Sequence, residues 1–273
     1  AMKVGQLMSM DSGTMLPPEF AQILARLRSE AQPMPPPQLK KVLTAYWGPQ
    51  WLRQFASFDV RPIAAASIGQ VHRAKTKDGR ELALKIQYPG IRKSIDSDVD
   101  NIAMLIKMSG LLPRDLDITS LLEQAKQQLH DEAQYQREGQ YLEQFGKLLA
   151  DKRDFKVPAL YEDLTTPAIL AMSYVSGHPI EALVSAPQAT RDRVVGLLIQ
   201  LLLLELFDFH LMQTDPNFAN YQYNPETQQV VLLDFGATRA LCPILVQQFR
   251  RLLNSCLLYT SPSPRDKRQS RMP

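Results

Sequence analysis

The sequence predicts an α+β protein in which a sheet-bearing lobe precedes a helical lobe, and three observations predict it. In "IAAASIGQVHRAKTKDGRELALKIQ", alternating Val71, Arg73 and Leu82, Leu84 flank a Lys-Asp-Gly turn, the period-two signature of a β-hairpin. Upstream, "FAQILARLRSE" and "LKKVLTAYWGPQWLRQFASF" space their apolar residues for one helical face, with "PMPPPQ" between them. Downstream, helical periodicity dominates. Strands followed by helices, instead of a regular alternation of the two, point to α+β.

Element by element, Lys3 to Phe58 reads as an N-terminal helical region. A glycine-containing loop then leads into the hairpin. Ile91 to Leu112 and Ile118 to Leu149 read as two long helices, the second carrying many Gln and Glu on its outer face. Two short apolar runs, Lys156 to Tyr161 and Ala168 to Val175, read as strands, and Ser176-Gly177 closes the second. Beyond them the pattern is helical except for a strand pair at Asn220 to Tyr223 and Val230 to Leu233.

Composition excludes several classes. With 45% hydrophobic and 22% charged residues the chain is ordinary for a globular protein. Its 31 basic and 28 acidic residues are too balanced to imply nucleic-acid binding without a clustered patch, and none stands out. Cys242 and Cys256 form neither a disulfide framework nor a zinc motif, which favours a reducing compartment. The most apolar run, Val194 to Phe209, is interrupted by Gln200, Glu205 and Asp208 and falls short of the ~20 residues a membrane span needs. It reads as a buried helix. "AMKVGQLMSM" lacks the features of a signal peptide, so the chain is expected to begin in mid-domain. Thr260 to Pro273 turns abruptly polar and resembles translated adapter sequence. It is expected to be unpacked, with the native C-terminus missing.

The stretch "QTDPNFAN", followed by "VVLLDFGATR", places Asp215, Asn220 and Asp234 after a very apolar run. A turn with a solvated acid is one reading. A magnesium and phosphate site is the other, and it demands a phosphate-covering loop and a lysine upstream. Ala64-Ala65-Ala66-Ser67-Ile68-Gly69-Gln70-Val71 fits the kinase loop G-x-G-x-x-G-x-V, with Ala at the first two glycine positions. Leu82-Ala83-Leu84-Lys85 stands for the lysine strand, and Glu138 on the long helix is the candidate partner for Lys85. Asp215 and Asn220 have the spacing of the kinase catalytic Asp and metal-binding Asn, with Gln213-Thr214 replacing His-Arg. Asp234-Phe235-Gly236 ends a strand, where its carboxylate can bind Mg²⁺ bridging the phosphates. Each piece alone has an ordinary reading: an alanine-rich turn, an exposed strand lysine, a chance Asp-Phe-Gly. In this order they predict an ATP and Mg²⁺ site. Its nucleotide-contacting set is Ala64, Ala65, Ala66, Ser67, Gly69, Lys85 and Glu138, with Met172 and Val175 from the later strand. Its metal ligands are Asn220 and Asp234, and Asp215 and Lys85 are the catalytic pair.

These residues, with "KVGQ" near the start, "AAASIGQVH", "QTDPNFAN" and "LLDFGATR", resemble the UbiB family of atypical kinase-like proteins that support ubiquinone (coenzyme Q) biosynthesis. The likeness runs from about Lys3 to about Leu241. It implies a protein-kinase-like two-lobed fold: an N-terminal helical extension over 1–58, an N-lobe over 59–175 with inserted helices, and a C-lobe over 176–259. It further implies that Lys3 and Gln6 cap the active site and exclude protein substrates, with Glu132 meeting them from the long helix. Gln134 stands where the family's Glu-x-Asp pair has its Asp, leaving an amide that still hydrogen-bonds. Family members are described as ATPases or kinases of lipids and small molecules. The implied partners are ATP, membrane lipids or quinone precursors, and quinone-biosynthesis enzymes, with no nucleic acid. The implied location is the bacterial cytoplasm or the mitochondrial matrix side, peripheral to a membrane. Alternatives at this stage are a small-molecule phosphotransferase, which would lack the Lys-x-Gly-Gln extension, and a nucleotide-binding scaffold without turnover.

Other features yield less. Asp96, Asp98 and Asp100 resemble the start of a calcium loop, but Asn101 and Lys107 replace its Gly and Glu, which rejects calcium. His72, His130, His178 and His210 have no metal-ligand spacing. Trp47 and Trp51, one helical turn apart, suggest packing.

Overall fold

A computed structural model describes residues 33–66, 68–109, 119–215 and 217–260. These form two compact units. One comprises the chain up to Ile180 together with Asn217–Ala237, and the other comprises Glu181–Pro216 and the chain from Thr238 onward. The contents are helix and sheet in both, in keeping with the α+β expectation.

The first unit is built on a five-stranded antiparallel sheet. Strands β1 (Phe55–Phe58) and β2 (Ala64–Ala66) pair with opposite ends of β3 (Gly69–Thr76), β4 (Glu81–Gln87) follows, and β6 (Ile169–Ser173) completes the order. The hairpin between β3 and β4 is the predicted one. Its turn uses Gly79 at φ 95, a left-handed conformation that costs glycine nothing, and the Thr76 hydroxyl accepts from the Arg80 amide at 3.0 Å. Along β4 the two-residue period decides what each face carries. Leu82, Leu84 and Ile86 are fully buried on one side, in a core with Leu39, Val42 and Leu43 of α1 (Pro36–Trp47). Each contributes about 1.5–3 kcal/mol by leaving water. Lys85 and Gln87 point to the opposite face, where the lysine meets a helix instead of solvent.

The spacing assigned Gln50 to Phe58 to a helix, and here the structure differs. Helix α1 ends at Trp47, where Gly48 takes φ 80; a 3₁₀ turn follows over Trp51–Gln54, and Phe55–Phe58 is a strand. The reason is tertiary. Trp51, Phe55 and Phe58 form edge-on aromatic pairs with centroids 5.1 to 6.1 Å apart, and β1 pairs with β3. Trp47 joins this cluster 5.4 Å from Phe55, so the tryptophans pack as expected.

The alanine-rich segment is a strand antiparallel to β3, with Ala64 opposite Val71 and Ala66 opposite Gly69. A Cβ built on Gly69 would lie 2.3 Å from the Ile86 carbonyl oxygen and 2.9 Å from the Tyr135 hydroxyl, so no side chain fits there. Gly69→Ala is therefore expected to cost about 1–3 kcal/mol of overpacking, lowering Tm by several degrees. An unchanged melting curve would contradict this close approach.

Helices α2 (Ile91–Ser109) and α3 (Thr119–Glu132) pack together, bridged by Lys126 to Asp100 at 2.8 Å and His130 to Asp96 at 2.9 Å. Two of the three aspartates of the calcium-like run thus face basic partners. The expected single helix from Ile118 to Leu149 is broken: α3 ends at Glu132, and α4 (Tyr135–Leu148) starts anew after Gln134, whose φ −99 and ψ 76 are not helical. The Ala133 carbonyl is taken by the Gln87 side chain at 2.7 Å, a tertiary bond that fixes the corner. On α4 the residues Tyr135, Glu138, Gly139, Leu142 and Phe145 form the buried face. A Cβ on Gly139 would press on Leu160 Cδ1 at 3.1 Å and Leu170 Cδ1 at 3.3 Å, so α4 lies close to β6 at this glycine.

A second sheet of the same unit runs β5 (Phe155–Lys156), β10 (Gln229–Leu232), β9 (Tyr221–Asn224) and β7 (His178–Pro179). The hairpin of β9 and β10 is close to the predicted pair, whereas the strand expected over Lys156 to Tyr161 shrinks to two residues and a single bridge at Leu160.

The second unit holds α5 (Gln188–Leu204), a π-helical turn over Glu205–Phe209, the short strands β8 (Leu211–Gln213) and β11 (Thr238–Ala240), and α6 (Pro243–Thr260). The run read as a buried helix is only half buried. Val194, Leu197 and Leu201 are covered, whereas Val195, Ile199, Leu202 and Leu203 are exposed. Among the described residues no helix is long and apolar enough to cross a membrane.

Candidate nucleotide and metal site

The centre of the first unit is one ammonium held by two carboxylates. Lys85 Nζ donates to Glu138 Oε1 at 2.8 Å, to Glu138 Oε2 at 3.1 Å and to Asp234 Oδ2 at 3.0 Å. Strand parity directs Lys85 at α4, and Glu138 lies on the inner face of that helix. Asp234 comes from the segment just after β10. Lys85 and Glu138 are buried, while the Asp234 side chain keeps 32% exposure.

Electrostatics follow from this burial. Desolvation works against the Lys85 charge, but Asp234 and Glu138 overcome it and hold the ammonium well above its usual pKa. Burial pushes the Glu138 carboxyl up, to about 7, against the pull of Lys85. Each member of the triad has a hydrogen-bonded partner, and Lys85, shared between two carboxylates, keeps one of them if the other is lost. Asp234 is further anchored through Oδ1, which accepts from the Gly236 amide at 2.9 Å. A Cβ on Gly236 would sit 3.2 Å from that oxygen and 3.5 Å from both Glu132 Cγ and Glu138 Oε2, so the Asp-Phe-Gly turn is seated directly on the two glutamates. Phe235, fully buried, stacks obliquely on Phe145 of α4 at 5.1 Å.

Asn220 enters the same neighbourhood through the backbone. Its carbonyl accepts from the Leu233 amide at 2.9 Å, which sets it beside the residue preceding Asp234. Asp234 and Asn220 offer two oxygen donors, the number Mg²⁺ commonly takes from protein when phosphates supply the rest. Met172 is buried on β6, and Val175 lies two residues past its end, half covered.

Asp215 belongs to the second unit. It is buried, and its backbone amide donates to the Gln213 side chain at 2.6 Å. Of the remaining expected residues, Ala64 and Ala65 are exposed strand positions, Ala66 is half covered, and Glu132 is buried at the end of α3. Glu132 and Glu138 lie on separate helices, which corrects the single-helix expectation. Lys3, Gln6 and Ser67 lie outside the described residues.

Sequence reasoning missed two contributors, Tyr135 and Gln87. Tyr135 is fully buried, its ring 5.3 Å from Lys85 Nζ in cation–π range, and burial pushes its hydroxyl pKa up so that it stays neutral. The available signal was its position three residues before Glu138, the same helical face. Gln87, two residues after Lys85, shares its face of β4 and ties that strand to the α3–α4 corner. Gln70 and His72 form a buried chain: the Met34 amide donates to Gln70 Oε1 at 2.8 Å, Gln70 Nε2 approaches His72 Nε2 at 2.7 Å, and His72 Nδ1 approaches the Asp59 carbonyl at 2.8 Å. Gln70 Nε2 can only donate, so His72 Nδ1 carries the ring proton. Desolvation lowers the His72 pKa and keeps it neutral. It is a structural histidine.

The chain also has recognisable relatives. The model of the ABC1 atypical kinase-like domain matches residues 26–262. "Atypical kinase COQ8, mitochondrial" of Saccharomyces cerevisiae is 40% identical over 258 residues, covering 94% of this chain and 52% of the relative. "Atypical kinase COQ8B, mitochondrial" of Rattus norvegicus is 43% identical over 240 residues, 88% of this chain and 46% of the relative. The chain thus spans about half the length of these curated relatives. Among solved structures, the complex of Rv3197 with erythromycin from Mycobacterium tuberculosis aligns with a TM-score of 0.62 and 28% identity, covering 88% of this chain and 60% of that one.

Proposed function

The chain belongs to the ABC1 atypical kinase-like family, and from that membership we propose that it is an ATP-dependent phosphotransferase or ATPase of the UbiB type. The observation that carries the proposal is the Lys85–Glu138–Asp234 junction, three residues far apart in sequence that meet with charge-assisted bonds of 2.8 to 3.1 Å. In kinases a strand lysine paired with a helix glutamate fixes the phosphates, and the Asp-Phe-Gly carboxylate holds metal.

In this reading Glu138 holds the Lys85 ammonium in place for the α- and β-phosphates. Asp234 and Asn220 hold Mg²⁺, which when bound neutralises charge on the phosphate oxygens. Asp215 orients or deprotonates the attacking hydroxyl or water. Ala64 to Ala66 and Gly69 cover the nucleotide, with Met172 and Val175 lining it. Alanines lack the free access to positive φ that brings a glycine loop's amides close to phosphate, so nucleotide handling should differ from that of an ordinary protein kinase.

The substrates proposed are lipids or small molecules in support of ubiquinone biosynthesis, with quinone-biosynthesis enzymes as partners. Lys3 and Gln6 are proposed to cap the site against peptides, with Glu132, seated at Gly236, as their contact. The word mitochondrial in the relatives' names supports a mitochondrial location, and the matrix side is proposed for it. The test is phosphate release from ATP by the purified chain, with and without anionic vesicles and phenolic quinone precursors. Mg²⁺-dependent turnover, abolished by chelation, is the expected result. Mg²⁺-dependent binding without release of phosphate would favour the scaffold reading, and absence of both would sink the site.

A further inference from the structure

Glu205 is a buried carboxyl that the proposed chemistry does not use. It is 3% exposed, and it opens the π-helical turn that joins α5 to β8. A π turn shifts the side chains that follow a helix out of their ordinary register, and such turns recur at functional sites. The turn closes at His210, which takes φ 51 in the left-handed region, so this backbone is held by its surroundings.

The carboxyl sits at one end of a short chain of bonds that finishes at Asp215. Glu205 Oε2 accepts from the Gln213 amide at 3.3 Å, and Gln213 Oε1 accepts from the Asp215 amide at 2.6 Å. Gln213 is itself buried and pinned at the end of β8 opposite Thr238. Glu205 Oε1 is buried without a hydrogen-bond partner among the described residues. Burial pushes this acid up to about 8, so it is largely uncharged near neutrality. A leucine or methionine would fill the same space without the desolvation cost of a carboxyl. Among the described residues, the one bond the carboxyl makes runs to the backbone of Gln213, two residues before Asp215.

We infer that Glu205 is a positioning residue for Asp215, acting through the Gln213 backbone and side chain to fix the backbone from which the catalytic carboxylate projects. This rests on reading Asp215 as the residue that acts on the nucleophile. Glu205, Gln213 and Asp215 all lie in the second unit, whereas Lys85, Glu138 and Asp234 lie in the first. Loss of Glu205 should therefore change turnover and spare nucleotide binding.

The experiment measures kcat and KM for Mg·ATP hydrolysis by the parent chain and by Glu205→Ala, Glu205→Gln and Asp215→Asn, each normalised to folded protein by its melting curve. For Glu205→Ala, kcat is expected to fall roughly 10- to 100-fold, the scale of a small misplacement of a reacting group, with KM nearly unchanged. Glu205→Gln keeps an acceptor oxygen for the Gln213 amide and should retain most of the parent kcat. A lowered Tm with parental kcat in Glu205→Ala, while Asp215→Asn is inactive, would overturn the inference and leave the reading of Asp215 intact. An equal loss in the Ala and Gln variants would overturn it too, because the acceptor is present in one of them. If Glu205→Ala does not fold, parental kcat in Gln213→Ala overturns the same chain of bonds. Parental turnover in Asp215→Asn, or none in the parent chain, would fail the underlying reading and the inference together.

Discussion

Asp215→Asn is expected to lower ATP turnover by roughly 10²- to 10⁴-fold, the usual contribution of a positioned general acid or base, while nucleotide affinity stays near that of the parent. The replacement is nearly isosteric. It keeps the backbone amide that donates to Gln213 Oε1 at 2.6 Å, so the loop should hold its shape. What it removes is a carboxylate able to accept a proton from, or align, the attacking oxygen. A residue of this kind works on the nucleophile, whereas the proposed holders of the phosphates and of the metal are Lys85 and the pair Asp234 and Asn220. Single-turnover phosphate release and equilibrium binding, measured on the same preparation, separate the two effects. Hydrolysis at the parent rate would show that Asp215 is not the catalytic group.

Much of the first unit was legible because its chemistry is demanding. A lysine that must meet a helix carboxylate has to sit on the inward parity of a strand, and the alternation of Leu82, Leu84 and Ile86 fixes that parity for Lys85 from sequence alone. Glu138 was readable through helical spacing. The meeting of both with Asp234 could be expected only from the order of the motifs, since 149 positions separate Lys85 from Asp234 and no local pattern spans them.

The failures were of a different physical kind. The helix pattern from Ile118 to Leu149 contains no Gly or Pro at Ala133-Gln134, and the corner there is set by Gln87 reaching the Ala133 carbonyl from another element. The strand Phe55–Phe58 has residues compatible with a helix, and aromatic packing with pairing to β3 overrides the propensity. The run from Val194 to Phe209 is apolar nearly all round, so its periodicity could not tell the buried side from the exposed one. Glu205 was legible as an interruption of that run. Its bond to the Gln213 backbone depends on a π turn that no sequence signal announces.

The second large effect is expected at Asp234. Asp234→Asn should lower affinity for Mg·ATP by roughly 30-fold or more, the lower end of the 2–5 kcal/mol typical when one member of a desolvated charge pair is lost. The amide can still accept from the Gly236 backbone through its oxygen, so the Asp-Phe-Gly turn should persist, and Lys85 keeps both oxygens of Glu138 as partners. The atom replaced is Oδ2, which now bonds Lys85 at 3.0 Å. An NH₂ group there can neither ligate a cation nor accept from the ammonium. The loss should therefore be specific to metal. Affinity for ATP in the presence of chelator should change far less than affinity in the presence of Mg²⁺, because Lys85, the proposed phosphate contact, is unchanged. Titration calorimetry with and without Mg²⁺ reads the difference directly. If Asp234→Asn retains the parent's full Mg²⁺-dependent gain in affinity, the metal is held elsewhere, and Asp234 serves only to complete the charge pairing of Lys85.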